Sequence, residues 1–200
     1  RNGIKFNTPD GEITKVDEAG ILAEIPLGLG ELVDENGKLK VKESSFDVDE
    51  EVGAAYVKRY TEWLPKGYFK GHRVAFYEHS AVGRDLIPQI FEELGAEVIC
   101  LGRSDRFIPV DTEAIRPEDI ELAAKWAQSE DFELLFSPDG DSTRPIVADE
   151  NGEWLRGDVL GVITAETFGF EAVATPVSCN SLVERGEYFA KVERTRIGSP

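Results

Sequence analysis

The chain has 200 residues, enough for one or two domains around a real core, and its hydrophobic share of 41% is that of a globular protein. A net charge of −17 argues against a nucleic-acid partner, which needs Lys and Arg to neutralise phosphates, and against an anionic membrane surface. Two isolated cysteines, Cys100 and Cys179, fit a reducing cytoplasm, and no apolar run approaches a membrane span or a signal peptide.

Ile4-Lys5-Phe6 is a strand candidate closed by a Thr-Pro-Asp-Gly turn. Thr14 with Asp17 forms a capping-box pattern for a helix running to about Ile25, stopped by Pro26, Gly28 and Gly30. Asp34-Glu35-Asn36-Gly37 reads as a turn between short strands. Asp49 to Leu64 is a helix, with Val52, Ala55, Tyr56, Tyr60 and Trp63 spaced along one face that reads as core. Pro65 and Gly67 end it and set a domain boundary there.

Gly71 to Asn151 is the clearest unit. It offers a strand at Arg73–Tyr77, a helix from about Asp85 to Leu94 with Gly95 as its C-cap, and a strand at Glu97–Leu101. A helix from Pro117 to about Ser129 and a strand at Phe132–Phe136 follow. This βαβαβ order predicts a parallel sheet with right-handed crossovers, whose ligands bind at the carboxyl ends of the strands. Pro145–Ala148 and Glu153–Leu155 read as a β-hairpin around Glu150-Asn151-Gly152. From Gly157 a second alternation begins, with a helix at Asp158–Phe168, a strand at Ala172–Thr175, a short helix at Ser181–Arg185 and a strand at Tyr188–Glu193.

Chemistry concentrates where Phe132–Phe136 runs into Ser137-Pro138-Asp139-Gly140-Asp141-Ser142-Thr143-Arg144. Asp139 and Asp141 are two apart, so an extended loop points both carboxylates one way, and Gly140 permits a tight path between them. Two hard oxygen ligands at a strand end suit Mg2+, and Arg144 adds a guanidinium fork suited to a phosphate. A solvated Asp-Gly turn is the alternative. His79 and Ser80 sit at another strand end, but adjacent Ser and His point apart and no nucleophile elbow surrounds them. His79 therefore reads as a loop residue that packs or hydrogen-bonds locally. With no Gly-X-Gly-X-X-Gly after the first strand, a dinucleotide site is disfavoured. On residues alone Lys5 is a solvated strand lysine, while Gly198 and Ser199 are either a plain cap or a phosphate-binding helix start.

Asp-Gly-Asp-Ser-Thr-Arg-Pro resembles the metal-binding loop of the α-D-phosphohexomutases, the phosphomannomutase/phosphoglucomutase family, whose pattern is Asp-Gly-Asp-X-Asp-Arg. Asn2–Lys5, His79–Asp85, Pro109–Ala114, Leu155–Val159, Thr175–Ser178 and Arg194–Pro200 are similar to a bacterial phosphomannomutase branch. The resemblance implies an α/β fold, a three-layer α/β/α domain at 66–153 carrying the metal loop. It also implies the end of a first domain at 1–65 and the start of a third at 154–200. It implies an isomerase that interconverts hexose 1-phosphate and hexose 6-phosphate, mannose or glucose phosphates, through a phosphoserine and a bisphosphate intermediate. Asp139 and Asp141 would hold Mg2+, Arg144 and Lys5 would be catalytic, and Ser199 would contact substrate. The third ligand position is Thr143 rather than Asp, and the motif of the nucleophilic serine is not in the chain. Because the chain begins with Arg and lacks Met, it is expected to be a piece of a longer enzyme, and without the serine motif and the family's sugar-recognition loop it is expected to be inactive alone. A degenerate, non-catalytic sugar-phosphate-binding protein is the alternative that Thr143 favours.

Overall fold

Local sequence chemistry accounts for the elements of the computed structural model, which describes residues 6–9, 11–24, 32, 34–35, 40 and 49–197. Two units are distinguished, Arg1–Glu50 and Glu51–Pro200. In the first, β1 (Asn7–Thr8) and β2 (Gly11–Glu12) form an antiparallel hairpin. Helix α1 (Lys15–Ala23) begins on the expected capping box: the Asp17 N–H donates to Thr14 Oγ1 and the Thr14 N–H donates to Asp17 Oδ2 at 2.8 Å. Ile4 and Lys5 of the expected first strand, the stop residues Pro26, Gly28 and Gly30, and Asn36-Gly37 of the expected turn lie outside the described residues.

The second unit opens with α2 (Glu50–Thr61), whose core face differs from the one expected. Val57 is the buried residue, while Val52, Tyr56 and Trp63 are exposed. The side of the helix that carries Gly53 lies against Leu86, whose Cδ2 a Cβ at Gly53 would meet at 3.4 Å, an ordinary packing distance. Gly53 and Val57, one turn apart, turn inward together. The aromatics pair off instead: Tyr56 with Tyr60 at 5.3 Å and Trp63 with Phe168 at 5.6 Å.

A five-stranded mixed sheet follows, in the order β4-β3-β5-β6-β7. Its parallel part is β4 (Glu97–Leu101), β3 (Arg73–Tyr77) and β5 (Leu134–Pro138), with Ala75 opposite both Ile99 and Leu135. Strands β6 (Pro145–Ala148) and β7 (Trp154–Leu155) add antiparallel to it. The two-residue period of β3 and β5 sorts the layers. Ala75, Tyr77 and Leu135 face α4 (Pro117–Ser129) through Ala123 and Trp126. Phe76 and Phe136 face the other way, where Phe91 of α3 (Ile87–Glu93) meets Phe136 at 5.4 Å. The result is the three-layer arrangement the sequence predicts.

Strand β5 lies two residues later than its apolar run suggests. Phe132 is buried before the strand begins, while Ser137 and Pro138 pair with Ile146 and Pro145. Pro138 opposite Pro145 is the last pair of the ladder, and just beyond it the Asp139 N–H still donates to the Arg144 carbonyl. Under the sheet's carboxyl edge, Arg116 donates to both oxygens of buried Asp119 at 2.7 Å, and the Tyr77 hydroxyl donates to Asp119 Oδ1 at 3.3 Å. Burial, reinforced by Asp119, pushes the Tyr77 phenol up to about 12.

Helix α5 (Gly157–Thr167) packs on β6 and leads to a parallel pair, β8 (Ala172–Pro176) and β9 (Lys191–Thr195), with the short α6 (Leu182–Arg185) between them. β9 starts three residues later than expected, in register with Ala172. Cys100 and Cys179 are both free. Among the described residues, no helix is long and apolar enough to cross a membrane.

Candidate active site

Loops leaving the carboxyl ends of β3, β4 and β5 meet at one edge of the sheet, the place where ligands bind in open α/β folds. Residues 139–144 form the loop between β5 and β6, closed by the Asp139 N–H donating to the Arg144 carbonyl at 2.9 Å. The two carboxylates have different surroundings. Asp139 is 3% exposed and turned into the loop. Its Oδ1 accepts from the N–H groups of Thr143 (2.9 Å) and Arg144 (3.0 Å), and its Oδ2 accepts from Arg144 Nε at 3.1 Å. Asp141 is exposed and accepts from the Thr143 hydroxyl at 2.9 Å. That hydroxyl bond is the main reason the Asp141 carboxyl lies below its ordinary range, with Asp139 a further contributor.

Arg144 is held protonated chiefly by its bond to Asp139, and its Nη1 lies 3.7 Å from Glu113 of the loop after β4. The donor set of Asp139, Asp141 and Thr143 is all oxygen, which suits a hard cation in kind. Among the described residues, no three His, Cys, Asp or Glu side chains gather as a complete metal cage. At this loop the carboxylates are Asp139 and Asp141, with a hydroxyl at Thr143. The sequence treats Asp139 and Asp141 as equivalent, whereas the structure makes one a buried anchor and the other an exposed ligand candidate. Lys5 and Ser199 lie outside the described residues.

The loop after β3 is closely involved. His79 is fully buried with φ 32°, and its Nε2–H donates to the Pro138 carbonyl at 2.8 Å. Burial pushes its pKa below the ordinary imidazole value, so the ring is neutral. Ser80 Oγ accepts from the Ile108 N–H, so it is an anchor for the loop after β4 and not a nucleophile. Nearby, Arg103 bridges buried Glu78 and exposed Asp85, each at 2.8 Å. Sequence reading passed over Ser142, Gly83 and Arg103. Only a glycine two residues before the expected helix hinted at Gly83, because the other two depend on which loops meet.

Residues 54–152 match the family model described as phosphoglucomutase/phosphomannomutase, alpha/beta/alpha domain II. Over all 200 residues the chain is 44% identical to a phosphomannomutase of Salmonella muenchen, covering 40% of that protein. It is 42% identical to a phosphomannomutase of Sinorhizobium fredii, covering all of this chain and 41% of that one. The chain thus spans about two fifths of the length of these curated relatives. In fold it is similar to a phosphoglucomutase/phosphomannomutase family protein from Burkholderia thailandensis, with a TM-score of 0.64 over 98% of this chain and 48% of that one at 16% identity. On the sequence likeness that runs its full length, the chain belongs to the phosphohexomutase family.

Proposed function

We propose that the chain supplies the end of a first domain (residues 1–65), a metal-loop domain (66–153) and the start of a third domain (154–200) to a phosphomannomutase/phosphoglucomutase. The reaction interconverts hexose 1-phosphate and hexose 6-phosphate, with mannose or glucose phosphates as substrates, through a phosphoserine and a bisphosphate intermediate in the cytoplasm. The phosphoserine motif is not in these 200 residues, so the chain alone turns nothing over. The observation that carries the reading is the Asp139–Asp141–Arg144 loop at a strand's carboxyl end, in a chain 44% identical throughout to a phosphomannomutase.

Asp139 and Asp141, with Thr143 in the third position, would hold Mg2+. When bound, the ion supplies positive charge at a phosphoryl oxygen, which in phosphoryl transfer is mainly electrostatic and positional work. Arg144 spends its Nε edge on Asp139, and its side chain stays 38% exposed, which leaves the guanidinium a face for a phosphoryl oxygen. Lys5 would balance charge or move a proton at the leaving oxygen, and Ser199 would hold substrate phosphate. A chimera tests this: the 44%-identical phosphomannomutase with this chain in place of its own segment, assayed on mannose 1-phosphate. Activity lost on Asp141→Asn supports the reading. A folded chimera that neither binds Mg2+ nor turns over refutes it. The second reading, a non-catalytic sugar-phosphate binder, is favoured by Thr143 and by the three donors already on Asp139. A folded chimera that binds hexose phosphate without turnover would establish it.

A further inference from the structure

Three hydrogen bonds tie the loop after β3 to the carboxylate loop, and their acceptors fall two residues apart. His79 Nε2–H donates to the Pro138 carbonyl at 2.8 Å, the Val82 N–H to the Gly140 carbonyl at 3.1 Å, and the Gly83 N–H to Ser142 Oγ at 2.8 Å. The third is unusual on both sides. Ser142 has φ 59°, a left-handed conformation in which a β-carbon is disfavoured and glycine is the ordinary occupant. What the serine contributes there is the oxygen that accepts from Gly83. Position 83 is fitted to it in turn, since a Cβ there would lie 2.8 Å from Ser142 Oγ, 3.0 Å from Ser142 Cβ and 2.9 Å from Ile87 Cδ1. The other end of the clamp is equally fixed, because His79 is fully buried and itself at positive φ.

We infer that His79–Gly83 is the positioning element of the carboxylate loop, with Gly83 and Ser142 as its latch. Asp139 is anchored by its own three donors, whereas exposed Asp141 accepts from the exposed Thr143 hydroxyl. The latch restricts the loop next to Asp141 and so presets where that carboxylate lies. Its consequence for metal binding rests on the function proposed above. Neither Ser142 nor Gly83 is a ligand, so both act through Asp141.

The test uses the 200-residue chain with Ser142→Ala, Gly83→Ala and the pair Gly83→Ala/Ser142→Gly. Amide exchange at Val82 and Gly83 is read by NMR, Mg2+ affinity by calorimetry, and stability by thermal melts. Ser142→Ala is expected to speed exchange at Gly83 and to weaken Mg2+ binding, each about two- to tenfold, as loss of one hydrogen bond implies. The melting temperature should stay near that of the wild type. Gly83→Ala should weaken Mg2+ binding further. Adding Ser142→Gly should restore part of it, since the Ser142 side chain then no longer opposes the new methyl group and the Ile87 contact is with the end of a flexible side chain. A residue with a merely structural role would lower the melting temperature and show no such recovery. Equal Gly83 exchange in wild type and Ser142→Ala overturns the latch, and a double variant no better than Gly83→Ala overturns the steric fit of position 83 to Ser142. If the wild-type chain binds no Mg2+, the metal assignment fails, and the exchange comparison decides the latch by itself.

Discussion

Replacing Asp139 and Asp141 one at a time by Asn should separate holding the loop from holding a cation. An Asn at 139 that keeps its carbonyl on the Oδ1 side still accepts from the Thr143 and Arg144 N–H groups. Its NH2 then faces Arg144 Nε, so the bond of 3.1 Å to Oδ2 becomes a contact between two donors. A hydrogen bond to a charged group contributes about 1.5–3 kcal/mol, and a guanidinium that can turn to water recovers part of the loss. Asp139→Asn should therefore cost about 2 kcal/mol, or roughly 4–8 °C in melting temperature for a chain of this size. Asp139→Ala also strips two backbone N–H groups of their acceptor and should cost about 3–5 kcal/mol. Asp141→Asn breaks no buried contact and should melt with the wild type. All three should abolish Mg2+ binding by calorimetry. Coincident melts for Asp139→Asn and wild type, or an equal drop for Asp141→Asn, would refute the division of roles.

Thr143→Asp supplies the third carboxylate and should tighten Mg2+ binding by about ten- to a hundredfold, while lowering the metal-free melting temperature because like charges crowd the loop. Calorimetry and melts with and without metal check both halves. Tyr77 carries a pH dependence. Its phenol is raised in the fold from 10 to about 12, so its contribution to stability is complete below pH 10 and is lost as pH rises toward 12. Denaturant midpoints across that range should fall more steeply for the wild type than for Tyr77→Phe.

Much of the fold was legible because several elements carry their own boundaries. Strand β3 is an apolar run between polar residues, α4 starts at Pro117 with Glu118 and Asp119 in its first turn, and α1 announces itself through Thr14 and Asp17. What was illegible depends on partners distant in sequence. The face of α2 that turns inward is the one with Gly53 and Val57, beside Leu86, and not the one with the aromatics at helical spacing. Strand β5 takes in Ser137 and Pro138 because β6 returns beside them. At the site, residue type revealed two carboxylates and a guanidinium. Which carboxylate turns inward is decided by the N–H groups of Thr143 and Arg144, which only the closed loop brings together.

Closure of the β5–β6 connection by Asp139 makes the rest of the carboxylate loop a replaceable cassette. A hairpin can ordinarily lengthen by zipping its loop residues into further rungs, which would draw Asp139 and Asp141 into the sheet. Asp139 prevents this: its carbonyl accepts from the Ser142 N–H and its Oδ1 accepts from the Thr143 and Arg144 N–H groups, so the backbone groups that a further rung would need are already taken. Substitutions at positions 140, 141 and 143 then alter the ligands without shifting the register of Leu135 or Ala148 in the core. A barrier of this kind lets one sheet carry a three-carboxylate loop in one protein and the present two-carboxylate loop in another.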